Sequence, residues 1–397
     1  MLVNTNGRRR ITRLLLPVTL VVCTRIAGGL FLYAILGLGS SESYWMKAAW
    51  GEGQNDVLRM SAGQDSRWLY LFLGWDSAWY ASIAAEGYSF QAQSYAFFPG
   101  LSLLSWLVNL VLRNPLLSTV LSSAVLGIAW VPVYQLLVEE YLGQSKAVEA
   151  ALLYSFTSIV YLFSTVAYGE GLFLFSTLGA WYSHRKNRTL PTIILASLAS
   201  ISRPTGILIF LPLLMRMVKA RRHHLRSFRS DIACFLAPFS AFFLWLLYCR
   251  TVVGDWLAPF NRSGWNDSPS LLMTLKSILL NDTGVGGFPT PAAGLTVLYS
   301  VFCTLLLVVP LFSLRAMYRI DEDLVVYSAV YLGGTILSGS LMSAPRFVCF
   351  LFPFWIVAFG ELTTMRLSRV WTLLICISSY FLGLFFWGSF LNGVFIS

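Results

Sequence analysis

The chain has 397 residues, 57% of them hydrophobic and 12% charged, with a mean hydropathy of +0.68, against about 45–50% apolar residues in soluble domains. That excludes an ordinary soluble enzyme and places the whole of 1–397 in a single integral membrane domain. The net charge of +10 is not an argument for nucleic acid, because membrane proteins gather Lys and Arg in their cytosolic loops, and six cysteines without a C-x-x-C argue for neither a disulfide framework nor a zinc site.

Arg8, Arg9, Arg10 and Arg13 precede an apolar run at Leu14–Leu38. It is too long for a secretory h-region and reads as a retained first span with a cytosolic N-terminus. Arg25 lies inside it, where it either pairs within the bundle or snorkels to the surface. The segment 39–114 is then the first non-cytosolic loop. In it, Asp76 is followed by Trp79, Tyr80 and Ile83 at helical spacing, which predicts a short amphipathic helix settled at the membrane interface. Tyr88, Phe97 and Phe98 are expected to pack this loop against the bilayer. An Asp at a helix start serves as a cap as readily as it serves chemistry. By helical rise Phe97–Leu112 reaches about 24 Å, short of the ~30 Å hydrocarbon core. It is expected to lie along the outer surface, since a crossing there would carry the basic stretch His184–Arg188 outside, against the positive-inside rule.

Further spans are expected at Pro115–Val138, Ala147–Val166, Gly169–Tyr182, a short pair at Thr189–Ile201 and Thr205–Met217, and Ile232–Tyr248. Ala292–Leu314, Leu324–Leu341, Phe347–Phe359 and Val370–Phe386 follow, for about eleven crossings in all by length. The second large non-cytosolic loop is 252–291, with sequons at Asn261, Asn266 and Asn281 that lean towards an ER lumen. All three histidines fall on the cytosolic side, so chemistry on the outer face has no imidazole.

Glu170 heads an apolar helix just after Tyr168, either favouring the helix N-terminus or positioning a substrate. Arg203 sits between two apolar runs near the outer leaflet. A charge at that depth marks function by default, the alternatives being snorkelling or a structural pair with Glu170. Trp256 and Trp265 in the second loop either anchor at the interface or stack on a sugar.

Trp75-Asp76-Ser77, Ile83-Ala84-x-x-Gly87-Tyr88 and Ala96-Phe97-Phe98-Pro99 together resemble the first-loop signature of the GPI mannosyltransferase 2 (PIG-V) family, multi-spanning glycosyltransferases of the GT-C type. Tyr168-Gly169-Glu170 with Leu172 and Phe173 resembles that family's Tyr-Ser-Glu-x-Leu-Phe, with Gly in place of Ser. Ser202-Arg203-Pro204-Thr205-Gly206 resembles its Thr-Arg-x-x-Gly, in a form closer to prokaryotic relatives. Gly254-Asp255-Trp256 with Trp265, and Pro345-Arg346-Phe347, resemble the later loop motifs, so the likeness runs from about Arg25 to Gly360.

The resemblance implies an all-α GT-C-like bundle and a mannosyltransferase moving mannose from dolichyl-phosphate-mannose to a GPI-anchor glycolipid intermediate, as its second mannose, through an alpha-1,6 linkage. It makes Asp76 the general base of an inverting displacement and sets Arg203 and Arg346 on the leaving phosphate. Trp75, Tyr168, Glu170 and Trp265 would contact the substrates. No nucleotide or other cofactor is implied. A divalent metal stays open, because Asp56, Asp65, Asp76 and Glu86 have no recognisable ligand spacing. The implied partners are the polyprenyl- or dolichyl-phosphate-mannose donor, the glycolipid acceptor and membrane lipids, with no nucleic acid and with a small accessory membrane subunit left open. The implied setting is the ER membrane. The runner-up is a prokaryotic plasma-membrane enzyme using polyprenyl-phosphate-mannose on a cell-envelope acceptor. From other classes, a lipid or solute transporter would show repeated halves meeting near the midplane, of which the sequence shows no sign. A catalytically silent partner of another transferase would leave its pathway indifferent to Asp76.

Overall fold

A computed structural model describes residues 5–36, 64–89, 92–221, 228–260, 307–337, 344–365 and 368–391. Trp265, the sequons and most of the second loop lie outside the described residues, as does Asp56. Among the described residues every regular element is helical. Among the described residues four helices are long and apolar enough to cross a membrane: Ile11–Ile35 within α1 (Thr5–Ile35), Pro115–Leu142, Ser230–Val253 within a longer helix, and Ser368–Leu391.

The first described part of the outer loop is a 3-10 segment, Gln64–Phe72, followed by α2 (Asp76–Glu86) and α3 (Pro99–Leu112). α3 has one buried and one exposed apolar face. It buries Gly100, Leu101, Ser102 and Ser105, and exposes Leu103, Trp106, Leu107, Leu110 and Val111. Its fourteen residues span about 21 Å.

α2 departs from expectation. Ser77 through Ala84 are buried without a break, so this helix is enclosed in protein and is not an amphipathic helix resting on lipid. Its cover comes from α3 and from the helix Pro115–Leu142, while α10 (Phe228–Val253) closes over the aromatic residues that follow it. Trp245 lies 4.8 Å from the Tyr88 ring and Phe242 5.9 Å from Phe98, while Trp79 stacks on Phe97 at 5.1 Å. Tyr88, Phe97 and Phe98, expected against the bilayer, are therefore core residues.

α4 (Pro115–Leu142) starts at Asn114, whose side chain accepts from Leu117 N at 3.0 Å, with Pro115 at a position where a missing N–H costs nothing. It ends at Gly143, whose φ of 86° suits glycine. The run expected as one span at Ala147–Val166 is divided into α5 (Gln144–Phe156) and α6 (Ser158–Phe163). At Thr157 ψ swings to 120° and the hydroxyl bonds back to the Leu153 carbonyl, a local alternative to helix continuation.

α7 (Glu170–Arg185), α8 (Thr189–Ser202), a 3-10 turn Pro204–Ile209 and α9 (Phe210–Arg221) come next. α8 packs on both α7 and α10, and α7 packs on α4. After a helical turn at 307–312 come α11 (Leu314–Ile320), α12 (Glu322–Leu337), α13 (Ala344–Phe350), α14 (Phe352–Leu362) and α15 (Ser368–Leu391). The expected span Phe347–Phe359 is also divided, at Leu351, because Pro353 can begin a helix but cannot continue one.

Two features fix the bundle. Arg25 turns inward and donates to the Gly127 carbonyl at 3.1 Å and to Ser164 Oγ at 2.9 Å, with its guanidinium over the Tyr161 ring. Of the two sequence readings, pairing inside the bundle is the one observed. Gly127 permits it, since a Cβ there would run into the Ser164 carbonyl, and Gly171 packs on Gly127 from the opposite helix. Gly127→Ala should therefore separate α4 from its neighbours and lower stability by about 1–3 kcal/mol, read as an earlier thermal midpoint in detergent. The second feature lies where α7 ends: Arg185 pairs with Asp321 at 2.8 Å and Lys219 with Asp323 at 2.9 Å, tying α7 and α9 to the start of α12. Arg185 is fifteen residues from Glu170 along α7, about 22 Å at helical rise. Glu170 thus occupies the far end of the helix from this charged cluster.

Candidate active site

Asp76 is set by the turn before it. Ser77 Oγ bonds to the Gly74 backbone at 2.5 Å, and a Cβ at Gly74 would meet the Phe390 ring at 2.7 Å, so glycine gives that ring its room. Trp75 takes φ 49°, ψ −117°, a conformation that costs a non-glycine residue about 1–3 kcal/mol and collects at functional sites. Asp76 is the first helical residue, and the helix start has no side-chain capping bond. Its backbone N–H donates to Tyr168 Oη at 3.0 Å, while its carboxylate points to the Arg346 guanidinium, 3.7 Å away.

Glu170, the first residue of α7, is 4% exposed and takes two cations on one oxygen: Arg203 Nη1 in a short ion pair and Arg346 Nε at 3.6 Å. Arg203 reaches it because Pro204 ends α8 and leaves residue 203 extended, at φ −157°, ψ 157°. Gly206 lets the following turn lie against the Ala199 carbonyl. The guanidinium of Arg203 sits over Phe347 and that of Arg346 over Phe163. The pairing of Arg203 with Glu170, an alternative in the sequence, is present, and it sits inside the constellation.

Asp76, Tyr168, Glu170, Arg203 and Arg346 are thus brought together from four places in the chain. The Trp75 indole packs on the main core beside them. Tyr80 is a member that sequence reasoning treated only as aromatic bulk. Its hydroxyl lies next to Gly169 and feels Glu170, Asp76, Arg203 and Arg346. The signal was present in its i+4 spacing from Asp76, which puts both on one helical face.

Burial pushes the Asp76 carboxyl above the usual carboxylate range; Glu170 adds to the rise, and Arg346 and Arg203 oppose it. Burial also raises the Tyr168 phenol, with Asp76 reinforcing the shift, so Tyr168 keeps its proton. Among the described residues no group of three or more His, Cys, Asp or Glu is arranged to hold a metal ion.

A partly exposed carboxylate beside two guanidiniums and a second, buried carboxylate can accept a proton next to groups that face an anion. The segment that holds most of them, residues 60–249, matches a family model described as mannosyltransferase (PIG-V). Over that segment the chain resembles the PIG-V mannosyltransferases, as its motifs indicate. Arg346 lies beyond the matched segment. The crystal structure of an Archaeoglobus fulgidus oligosaccharyltransferase, with zinc and sulfate, is similar at 13% identity and a TM-score of 0.43, covering 94% of this chain and 53% of that one. This chain therefore spans about half the length of that protein. No curated protein matches the sequence.

Proposed function

We propose that the protein transfers mannose from dolichyl-phosphate-mannose to a hydroxyl of a GPI-anchor glycolipid intermediate, as the second mannose in alpha-1,6 linkage, in the ER membrane. The observation that supports it is the unequal standing of the two carboxylates. Glu170 is 4% exposed and has one oxygen committed to two arginines, whereas Asp76 is 27% exposed and among the described residues pairs only with Arg346, at 3.7 Å. Asp76 is the carboxylate that an incoming hydroxyl can reach, and it is the general base. The acceptor O–H gives its proton to Asp76 as the oxygen attacks the anomeric carbon. The bond from that carbon to the phosphate oxygen breaks, and the electron pair leaves with polyprenyl phosphate, whose charge faces Arg346 and Arg203. A β-linked donor gives an α-linked product.

The closer form of Arg203-Pro204-Thr205-Gly206 to prokaryotic relatives supports a second setting, in which the same chemistry serves a cell-envelope acceptor at a plasma membrane. Purified protein supplied with labelled polyprenyl-phosphate-mannose and either acceptor should yield a glycolipid heavier by one hexose, and the acceptor that is lengthened decides between the two. Donor moved across a vesicle membrane without any lengthened glycolipid would make the protein a transporter.

The raised Asp76 pKa gives a pH test. The base must be ionised, so kcat/KM should fall on acidification through the folded-state pKa, at a higher pH than an ordinary carboxylate would give. Stability has the opposite sign. Because folding raises this pKa, the cost of the buried charge is present above the folded value and disappears as the pH drops towards the unfolded one. An acid limb in kcat/KM that moves away on Asp76→Glu, with melting recorded over the same range, checks both halves.

A further inference from the structure

We infer that Tyr80 hydrogen-bonds a hydroxyl group of the transferred sugar, and that Gly169 is a glycine because the phenol needs the space beside it. Tyr80 lies one helical turn after Asp76 on α2. Its ring is held edge-on to Phe97 at 5.5 Å, and its backbone carbonyl accepts from Ser102 Oγ at 3.2 Å, so the ring has a fixed direction. That direction brings Oη to 3.1 Å from the place a Cβ would take at residue 169, immediately before Glu170.

The four charged groups around the phenol identify its ligand. Its hydroxyl stands beside Gly169, the residue before Glu170, within electrostatic reach of Asp76, Glu170, Arg203 and Arg346. In the displacement the base stands on one side of the anomeric carbon and the phosphate-binding guanidiniums on the other, which leaves the sugar ring in the middle. An anion is an unsuitable partner there, because the guanidiniums already serve the phosphate and the two carboxylates repel further negative charge. A neutral phenol is suited to a neutral polyol, giving a proton to one sugar oxygen or accepting one. Burial and the flanking carboxylates keep that phenol protonated. Among the described residues no protein group bonds to Tyr80 Oη, and the oxygen is not fully sealed, which leaves it able to meet a ligand.

The inference rests on the sugar-transfer reading, and the test separates the two. Tyr80→Phe removes one oxygen and leaves the packing on Phe97 intact, so its melting curve should overlay that of the wild type. With the natural donor kcat/KM should fall about 5- to 10-fold, the worth of one neutral hydrogen bond. Donors lacking a single ring hydroxyl then form a cycle: one of them should be a poorer substrate for the wild type and no poorer than the intact donor for Tyr80→Phe. Gly169→Ala should crowd the phenol and lower kcat/KM in the wild-type background, with little further loss in Tyr80→Phe. Wild-type kcat/KM in Tyr80→Phe overturns the inference, and so does an equal penalty for every deoxygenated donor in both proteins. Should Tyr80→Phe fold poorly, Gly169→Ala with the same donor set decides alone: selective loss of discrimination at one hydroxyl supports the contact, and uniform loss refutes it. Wild-type protein that lengthens no glycolipid defeats the transfer reading itself.

Discussion

Asp76→Asn should reduce mannose transfer by about 10²- to 10⁴-fold, the usual contribution of a general base, while the protein remains inserted, abundant and at least as stable. The geometry separates the two effects. What ties Asp76 into the fold is its backbone N–H, donated to Tyr168, and the neighbouring Ser77 turn, and asparagine keeps both. Arg346 keeps Glu170 as a carboxylate partner when the charge at 76 is removed. Because burial makes the ionised Asp76 costly, the neutral side chain relieves a penalty, and the thermal midpoint should hold or rise. Labelled-mannose incorporation measured beside a melting curve in detergent checks the pair. Normal turnover removes Asp76 as the base. A collapsed midpoint would mean that the carboxylate is structural and that the loss of transfer says nothing about proton removal.

How much of this site the sequence displayed differs from residue to residue, and for physical reasons. Composition and the lengths of apolar runs are properties of the chain alone, which is why α1, α4, α10 and α15 lie where hydropathy puts them. A charge between apolar runs is conspicuous for the same reason, so Arg203 and its partner Glu170 were open to view. The burial of α2 and of the rings after it was not, because it depends on α3 and α4 packing over the helix and on Phe242 and Trp245 of α10 reaching Phe98 and Tyr88, and nothing local to residues 76–88 distinguishes an aromatic face covered by protein from one covered by lipid. Tyr80 was overlooked for a related reason: phenol and phenyl rings count alike in an apolar pattern, and only the nearness of Gly169 shows which end of the ring matters. Arg25 presents the reverse case. Its partners are a carbonyl and a serine, so a search for opposite charges could not find them. The breaks at Thr157 and Leu351 were hidden because hydropathy is continuous through them, whereas helix geometry is not.

The other large effect should come from the carboxylate that does not take the proton. Glu170→Ala leaves the guanidiniums of Arg203 and Arg346, whose side chains are 12% and 13% exposed, without the oxygen that both approach. Removing one partner of a buried ion pair costs about 3–5 kcal/mol, chiefly because the charge left behind cannot regain its hydration. This variant should lose both its thermal midpoint and its activity. Arg203→Ala should be milder in stability, since Glu170 still has Arg346 at 3.6 Å, and severe in transfer, since the proposed mechanism sets Arg203 on the leaving phosphate. The decisive protein is the double variant Glu170→Gln with Arg203→Gln. Its two amides can bond to each other without charge, so the midpoint should recover most of the loss while transfer remains absent. Recovery of both would mean that the pair only holds α7 against the end of α8. Recovery of stability alone assigns Arg203 to the phosphate and makes Glu170 the group that keeps the empty site folded until the lipid phosphate arrives.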